Sequence, residues 1–132
     1  KQNVYLEGIV LKPNMIVSGT NCSEQASIEE VAERTIECLK ATVPEDVPGC
    51  AFLSGGQSNQ DATMHLNMLN LKYSSELPWN LTFSYGRALQ SSALNKWLGK
   101  DDNINDAQLE FYKRAKLNSL ASQGIYSETM EV

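Results

Sequence analysis

The stretch that decides the predicted fold is CAFLSGGQS, residues 50–58. Its first four residues form an apolar run that is nearly continuous rather than alternating, which is typical of a strand buried on both faces. Gly55 and Gly56 then permit a tight turn, and Ser58 with Asp61 is a signature of a helix start. The stretch therefore predicts a strand, a turn and a helix, the repeating unit of a parallel α/β fold.

Similar apolar runs lie on either side of this unit, at residues 4–11 and 81–85, and we expect both to be strands. Apolar side chains at helical spacing follow at residues 28–39, 62–69, 88–98 and 103–122. The first of these helices opens with a second capping signature, Ser27 with Glu30. The order β-α-β-α-β-α-α predicts parallel strands joined by right-handed crossovers.

Three parallel strands are too few to close a barrel, and an open sheet of that size has two unprotected edges. A (β/α)8 barrel requires about 250 residues. The 132 residues, with three predicted βα units and a terminal helix, therefore correspond to a little under half of a barrel. We expect an α/β fold that is part of one barrel domain.

The charge balance argues against nucleic-acid and membrane-surface partners. Eleven Lys and Arg against sixteen Asp and Glu give a net charge of -5, whereas those partners require a broad basic surface. The apolar runs are also shorter than the roughly 20 residues of a membrane span. We therefore expect no nucleic-acid binding and no membrane insertion, and an anionic small molecule only at a locally positive site.

Several residues that could carry chemistry have a simpler structural explanation. The cysteines are odd in number and lack C-x-x-C spacing, so we expect reduced thiols that fill the core: Cys22, Cys38 and Cys50. His65, the single histidine, is expected at the edge of the core. Packing is also expected for the large aromatic side chains Trp79, Trp97 and Phe111.

Lys12 lies at the C-terminal end of the first predicted strand, immediately before Pro13. Proline biases the preceding residue to extended geometry, so the strand ends here and the ammonium group lies at its mouth. Active sites of parallel α/β folds are built at this end of the strands. Position alone favours an ordinary solvated lysine, and the functional alternative is an amine nucleophile that attacks a carbonyl group.

Polar motifs also follow the other two predicted strands. After the second strand, Ser54 and the Gly-Gly pair have two interpretations. Their backbone N–H groups and the helix N-terminus that follows could bind an anion, or the residues could form a tight turn without a ligand. In the next unit Gly86 frees the backbone and Arg87 offers a planar fork for phosphate, although an isolated arginine is more often a surface salt-bridge residue. Together the two loops predict a phosphate cradle of the kind that barrels often place after neighbouring strands.

The motifs occur in a specific order: EG at 7–8, LKPNM at 11–15, FLSGGQS at 52–58, PW at 78–79 and LTFSYGRALQ at 81–90. In this order they closely resemble class I, Schiff-base-forming fructose-1,6-bisphosphate aldolase. The resemblance extends over nearly the whole chain, from about residue 5 to residue 126.

The resemblance implies a glycolytic and gluconeogenic enzyme that reversibly cleaves fructose 1,6-bisphosphate to dihydroxyacetone phosphate and glyceraldehyde 3-phosphate. Lys12 matches the Schiff-base lysine, which attacks the ketose carbonyl to form an iminium that accepts electrons during C–C cleavage. The residues that match the two halves of the phosphate site are Leu53, Ser54 and Gly55 in one loop and Ser84, Gly86 and Arg87 in the other. No metal or other cofactor is implied, because the protonated imine provides the polarisation that zinc provides in the other aldolase class.

The resemblance also implies a wider context. Residues 1–132 match the C-terminal part of a (β/α)8 TIM barrel, with the N-terminal strands of the barrel absent from this sequence. The family is homotetrameric and cytoplasmic in most lineages, and its members also bind actin or other cytoskeletal partners. The family's acid/base residues lie on strands before the one that carries Lys12, so we expect the isolated piece to be inactive.

Three alternatives stay open at this level. Another Schiff-base barrel, such as a transaldolase or a deoxyribose-phosphate aldolase, would use the lysine in the same way, but Ser54 and Arg87 disfavour it. A doubly wound domain for phosphosugars or nucleotides would explain the Gly-Gly turn but would leave Lys12 without a role. A non-catalytic fragment or scaffold that binds actin or other partners would not depend on Lys12.

Overall fold

The computed structural model describes residues 2–132, and its elements follow one another much as predicted. The α-helices are α1 (Ile28–Thr42), α2 (Asn59–Tyr73), α3 (Arg87–Trp97) and α4 (Ile104–Ala121), and the strands are β1 (Gly49–Phe52) and β2 (Asn80–Phe83). Short 3-10 helices cover Leu6–Gly8, Ser74–Glu76, Asp101–Asn103 and Glu128–Glu131. The predicted helices and the second and third predicted strands are confirmed. Within residues 2–132, no helix is both long and apolar enough to cross a membrane.

The first predicted strand, residues 4–11, is wrong for most of its length. A 3-10 helix at Leu6–Gly8 replaces its centre, and only Leu11 forms a β-bridge, with Cys50 of β1. The side chain of Val10 is 66% exposed, and an apolar run becomes a strand only where other elements pack against it. The first βα unit is therefore present, but its strand is reduced to the single β-bridge at Leu11.

The sheet is parallel throughout. β1 and β2 pair with Cys50 opposite Leu81. On the other side of β1, the Leu11 N–H donates to the Gly49 carbonyl (3.0 Å), and the Ala51 N–H donates to the Leu11 carbonyl (2.8 Å). The segment at Leu11, β1 and β2 therefore lie side by side in chain order.

The core lies where the helices pack against one face of the sheet. Cys50 and Phe52 of β1 and Leu81 of β2 are buried in one apolar cluster with the helices. Helical members of the cluster include Val31, Ile36, Leu39, Leu66, Leu69 and Leu117. Burial of these side chains supplies the main free energy that holds the helices on the sheet.

The predicted helix starts are confirmed in atomic detail. The Ser27 hydroxyl accepts a hydrogen bond from the Glu30 N–H (3.2 Å) at the start of α1. The Ser58 hydroxyl accepts from the Asp61 N–H (3.0 Å) at the start of α2. Each contact satisfies a backbone donor that has no partner inside its helix.

The predictions for the other structural residues have mixed outcomes. Cys50, His65 and Trp79 are buried as predicted, and the Trp79 indole N–H donates to the Pro44 carbonyl (2.8 Å). The predicted core role is wrong for Cys22 and Cys38, which are both exposed. Trp97 and Phe111 are 43% and 42% exposed and line a groove between α3 and α4, so they pack there only in part. Residue type favoured burial of all four side chains, but the described elements cover these positions incompletely.

A buried ion pair holds the last described residues against α4 and α2. Arg114, which is 4% exposed, donates two hydrogen bonds of 2.8 Å to the Glu131 carboxylate and a third of 2.7 Å to the Thr63 hydroxyl. The Tyr126 hydroxyl also donates to Glu131 (2.9 Å), and Lys113 Nζ donates to the Glu131 main-chain carbonyl. Burial opposes the charge on Glu131, but the hydrogen bonds from Arg114 and Tyr126 outweigh it and hold the pKa of this carboxyl below its ordinary value. We call this cluster the Arg114–Glu131 clasp.

Candidate functional site

The parallel sheet brings the three predicted site segments to one edge. The Leu53 N–H donates to the Pro13 carbonyl (3.0 Å), and the Ser84 N–H donates to the Phe52 carbonyl (2.8 Å). The segments after Lys12, after β1 and after β2 therefore leave the sheet at the same edge, with neighbouring backbones about 4.8 Å apart. This edge is the candidate site.

Lys12 stands on the face of the sheet away from the apolar core. The β-bridge at Leu11 and the hydrogen bonds that follow it place Lys12 opposite Ala51, which in turn pairs with Thr82. Because strand side chains alternate between faces, Lys12, Thr82 and Ser84 share one face, and all three are exposed. A ligand that approaches this face can therefore reach the Lys12 ammonium.

The backbone after Lys12 is anchored on α1. Met15 is 1% exposed, and the Ile16 N–H donates to the Thr35 hydroxyl (2.9 Å). That hydroxyl in turn donates to the Val31 carbonyl within α1 (2.6 Å). Lys12 is therefore carried by a backbone whose position the helix fixes.

Asn14 shapes the turn after β1, and the sequence analysis missed it. A Cβ atom at Gly55 would collide with Asn14 Oδ1, so a larger residue there would have to displace the Asn14 side chain. Gly55 (φ +58°) and Gly56 (φ +87°) both adopt left-handed backbone, which favours glycine. The side-chain alternation that places Asn14 on the Lys12 face is the signal that could have identified it.

The Gly-Gly turn presents free backbone donors. The Gln57 N–H closes the turn by donating to the Ser54 carbonyl (3.0 Å), whereas the N–H groups of Gly55 and Gly56 make no hydrogen bond within residues 2–132. The N-terminus of α2 follows directly, with Ser58 as its cap. Free amides next to a helix N-terminus, which carries about half a positive charge, can bind an anion.

The loop after β2 offers a second group that can donate hydrogen bonds to an anion, the Arg87 guanidinium. Gly86 precedes α3, and its carbonyl accepts from the N–H groups of Leu89 and Gln90 (3.1 Å each). Arg87 is exposed and pairs with no carboxylate of the described residues. The surface salt bridge considered as an alternative is therefore not observed, and the guanidinium is available to an anion.

Two side-chain contacts fix these loops relative to each other. The Tyr85 hydroxyl donates to the Ala62 carbonyl (2.8 Å), and Asn59 Nδ2 donates to the Ser92 hydroxyl (3.1 Å). Burial raises the pKa of Tyr85 well above its ordinary value, so this hydroxyl remains a donor. The starts of α2 and α3 are therefore held together beside the sheet edge.

The structure brings all the sequence-predicted site residues to this edge. They are Lys12, Leu53, Ser54, Gly55, Ser84, Gly86 and Arg87. Ser54 is buried and Leu53 half-buried, whereas the others are exposed. One surface is thus bordered by an amine and by two loops whose hydrogen-bond donors suit an anion.

The sequence is similar to several named aldolases. The family model described as Fructose-bisphosphate aldolase class-I matches residues 1–132. Fructose-bisphosphate aldolase C of Mus musculus is 54% identical over 124 residues, which cover 94% of this chain and 34% of that protein. The fructose-bisphosphate aldolase of Echinococcus multilocularis is 52% identical over 92% of this chain and 33% of its own. The chain thus spans about a third of the length of the curated relatives it matches.

The structure is similar to a solved aldolase. Fructose-bisphosphate aldolase from Plasmodium falciparum, in complex with TRAP and a small molecule inhibitor, matches with a TM-score of 0.89 and 46% sequence identity. The match covers 95% of this chain and 35% of that one. The predicted fold class is confirmed by this likeness.

Proposed function

Because the chain belongs to the class I fructose-bisphosphate aldolase family, we propose that the protein reversibly cleaves fructose 1,6-bisphosphate to dihydroxyacetone phosphate and glyceraldehyde 3-phosphate. The observation that carries the proposal is that Lys12 lies at the same sheet edge as two loops, one with free backbone amides and the other with Arg87, which makes no ion pair with a described residue. Cleavage of a phosphorylated ketose through a Schiff base requires a nucleophilic amine together with a site for the phosphate. In (β/α)8 barrels, the fold of the family, active sites lie at this end of the strands.

Lys12 is the proposed nucleophile. Its amine adds to the ketose carbonyl carbon, water leaves, and a protonated imine forms. The bond between the carbon next to the imine carbon and the hydroxyl-bearing carbon beyond it then breaks as that hydroxyl gives up its proton. The bonding electrons form an enamine with the imine, and glyceraldehyde 3-phosphate departs as the aldehyde. A proton then adds to the enamine carbon and restores the imine, and hydrolysis of that imine by water releases dihydroxyacetone phosphate and the free Lys12 amine. The accessibility of Lys12 on a fixed backbone supports this role.

The two loops are the proposed phosphate site. From one loop, Ser54 and Gly55 would contribute hydroxyl and backbone N–H contacts, with Leu53 holding the loop in the sheet through its own N–H. From the other, Ser84 would contribute its hydroxyl, Gly86 its backbone and Arg87 its guanidinium. Two observations support the assignment. The first loop has free backbone amides, and the Arg87 guanidinium in the second forms no ion pair with any described residue. Lys12 at the same edge favours an aldolase over a doubly wound nucleotide domain, in which it would have no role.

The wider context is proposed from the family resemblance. Residues 1–132 would form the C-terminal part of one barrel domain, in a cytoplasmic homotetramer that also binds actin or another cytoskeletal partner. The acid/base residues would then lie on other strands of the barrel, and the isolated residues 1–132 would lack proton transfer. Experiments therefore use the natural polypeptide at its full length.

Trapping with borohydride tests the proposed nucleophile. Borohydride reduces an imine to a stable amine, so treatment with dihydroxyacetone phosphate should add one adduct to the intact mass of the natural polypeptide. Peptide mapping should place the adduct on Lys12. A mass that is unchanged after treatment, with substrate present in excess, would contradict the Schiff-base mechanism.

Arg87→Ala should weaken phosphate binding about thirtyfold. A charge-assisted contact to phosphate contributes on the order of 2 kcal/mol, and the exposed Arg87 side chain contributes little to folding. The measurement is the Kd of a non-cleavable hexitol bisphosphate by calorimetry. Lys96→Ala, which removes a cation from the last turn of the same helix, is the matched control. Unchanged affinity in Arg87→Ala would show that the site is assigned to the wrong residue.

A further inference from the structure

A buried histidine next to the Gly-Gly turn has no part in the reaction as described. His65 is 8% exposed on α2, and its ring Nδ1 lies 2.6 Å from Gln57 Oε1. An amide oxygen only accepts hydrogen bonds, so Nδ1 is the donor and the neutral ring carries its lone pair on Nε2. His65 therefore holds the Gln57 side chain in one orientation.

Gln57 connects three parts of the candidate site. Its backbone N–H donates to the Ser54 carbonyl (3.0 Å) and closes the turn. Its side-chain Nε2 lies 3.8 Å from the sulfur of Met15, three residues after Lys12. Its Oε1 accepts the hydrogen bond from His65. One residue thus links α2, the Gly-Gly turn and the strand end that carries Lys12.

The surroundings of His65 favour its neutral form. The ring borders a cleft of 370 Å³ between the turn and the loop before α1. Neutral side chains line this cleft from the loop before α1, from α1 and from α2: Val17, Gln25, Ile28, Val31 and Met64. Asp61 is the single titratable residue other than His65 among the described residues that line it. Burial lowers the pKa of His65 below its ordinary value, and the Asp61 carboxylate opposes part of that shift. The Asp61 carboxylate also accepts from the Ser58 hydroxyl (2.7 Å).

We propose that His65 is a positioning residue for the phosphate site: it fixes Gln57, and Gln57 fixes the Gly-Gly turn whose free amides bind the substrate phosphate. The inference rests on the proposed function, which gives the turn its ligand. Two adjacent glycines have wide conformational freedom when nothing restrains them. Without the His65 contact, ligand binding would include the entropic cost of ordering the turn.

The test is a comparison of KM and kcat in the natural polypeptide. His65→Leu should raise the KM for fructose 1,6-bisphosphate about fivefold, the effect of one hydrogen bond, with kcat nearly unchanged. His65→Asn should restore the KM, because its Nδ2 can donate from nearly the position of the imidazole Nδ1. A residue that only fills the core would show neither this split nor this rescue.

A second pair of variants tests the route through Gln57. Gln57→Ala should raise the KM as much as His65→Leu, and His65→Leu should add nothing in the Gln57→Ala background. Met68→Ala, at a half-buried position on the same helix, is the control and should lower thermal stability without changing the KM. If His65→Leu does not fold, Gln57→Ala decides alone, since a wild-type KM in that variant overturns the inference.

The failure of this inference is distinguishable from that of the proposed function. A wild-type protein that forms the Lys12 adduct, with His65 and Gln57 variants of unchanged KM, overturns the positioning role only. A wild-type protein that neither forms the adduct nor cleaves the bisphosphate overturns both.

Discussion

Replacement of Lys12 by methionine is expected to slow fructose-bisphosphate cleavage by about 10⁴-fold or more. Methionine keeps an unbranched side chain of similar length but has no amine to add to a carbonyl. Lys12 is exposed, and its side chain makes no hydrogen bond or ion pair within residues 2–132, so the fold should be unaffected. The measurements are kcat, the thermal unfolding midpoint and the mass after borohydride treatment.

Lys100→Met is the matched control for this variant. Lys100 is an exposed lysine between α3 and α4, so its replacement makes the same chemical change away from the sheet edge. It should retain wild-type cleavage and the borohydride adduct. Near-normal cleavage by Lys12→Met, or an adduct that persists on another lysine, would show that the nucleophile is elsewhere.

Removal of the Glu131 carboxylate is expected to lower the free energy of unfolding by about 3 kcal/mol. Glu131→Ala leaves the Arg114 guanidinium, which is 4% exposed, buried without its counter-charge. Arg114 Nε already has no hydrogen-bond partner among the described residues, so loss of Glu131 leaves still more of the buried guanidinium unsatisfied. The measurement is urea unfolding at pH 7. Glu128→Ala, an exposed carboxylate in the same 3-10 helix, should change stability little.

The effect of Glu131→Ala should also depend on pH. The carboxyl pKa is lower in the folded chain than its ordinary value of 4.5, so the stabilisation is complete above that value and is lost as pH falls through the folded pKa. The difference between wild type and variant should therefore narrow in acid. Replacing Arg114 and Glu131 together by leucine should recover much of the lost stability. A gap that stays constant into acid would contradict this account of the clasp.

Features whose causes are local in the chain could be predicted from the sequence. The Ser27 and Ser58 caps each depend on a residue three positions later, and both form as expected. The meeting of Lys12 with Arg87 at one edge was also predictable, because parallel strands share their carboxyl edge. Residue types at strand ends were therefore sufficient to outline the candidate site.

The remaining features depend on contacts between distant positions, which leave no periodic pattern. Residues 4–11 have the composition of a strand, but packing, rather than composition, decides whether a strand forms. The clasp joins Arg114 to Glu131 by side-chain geometry alone. The close approach of Asn14 to Gly55 likewise requires two strand ends to be adjacent before it can be recognised.

The parallel pairings also govern how the chain can fold during synthesis. Leu11 and its partner Cys50 are about 40 positions apart in the chain, and Cys50 and its partner Leu81 are about 30 positions apart. Closing loops of this size has an entropic cost that the intervening helices reduce if they form first. At about 5–20 residues per second on the ribosome, the segment that ends in Lys12 is made about 2–8 s before its partner in β1.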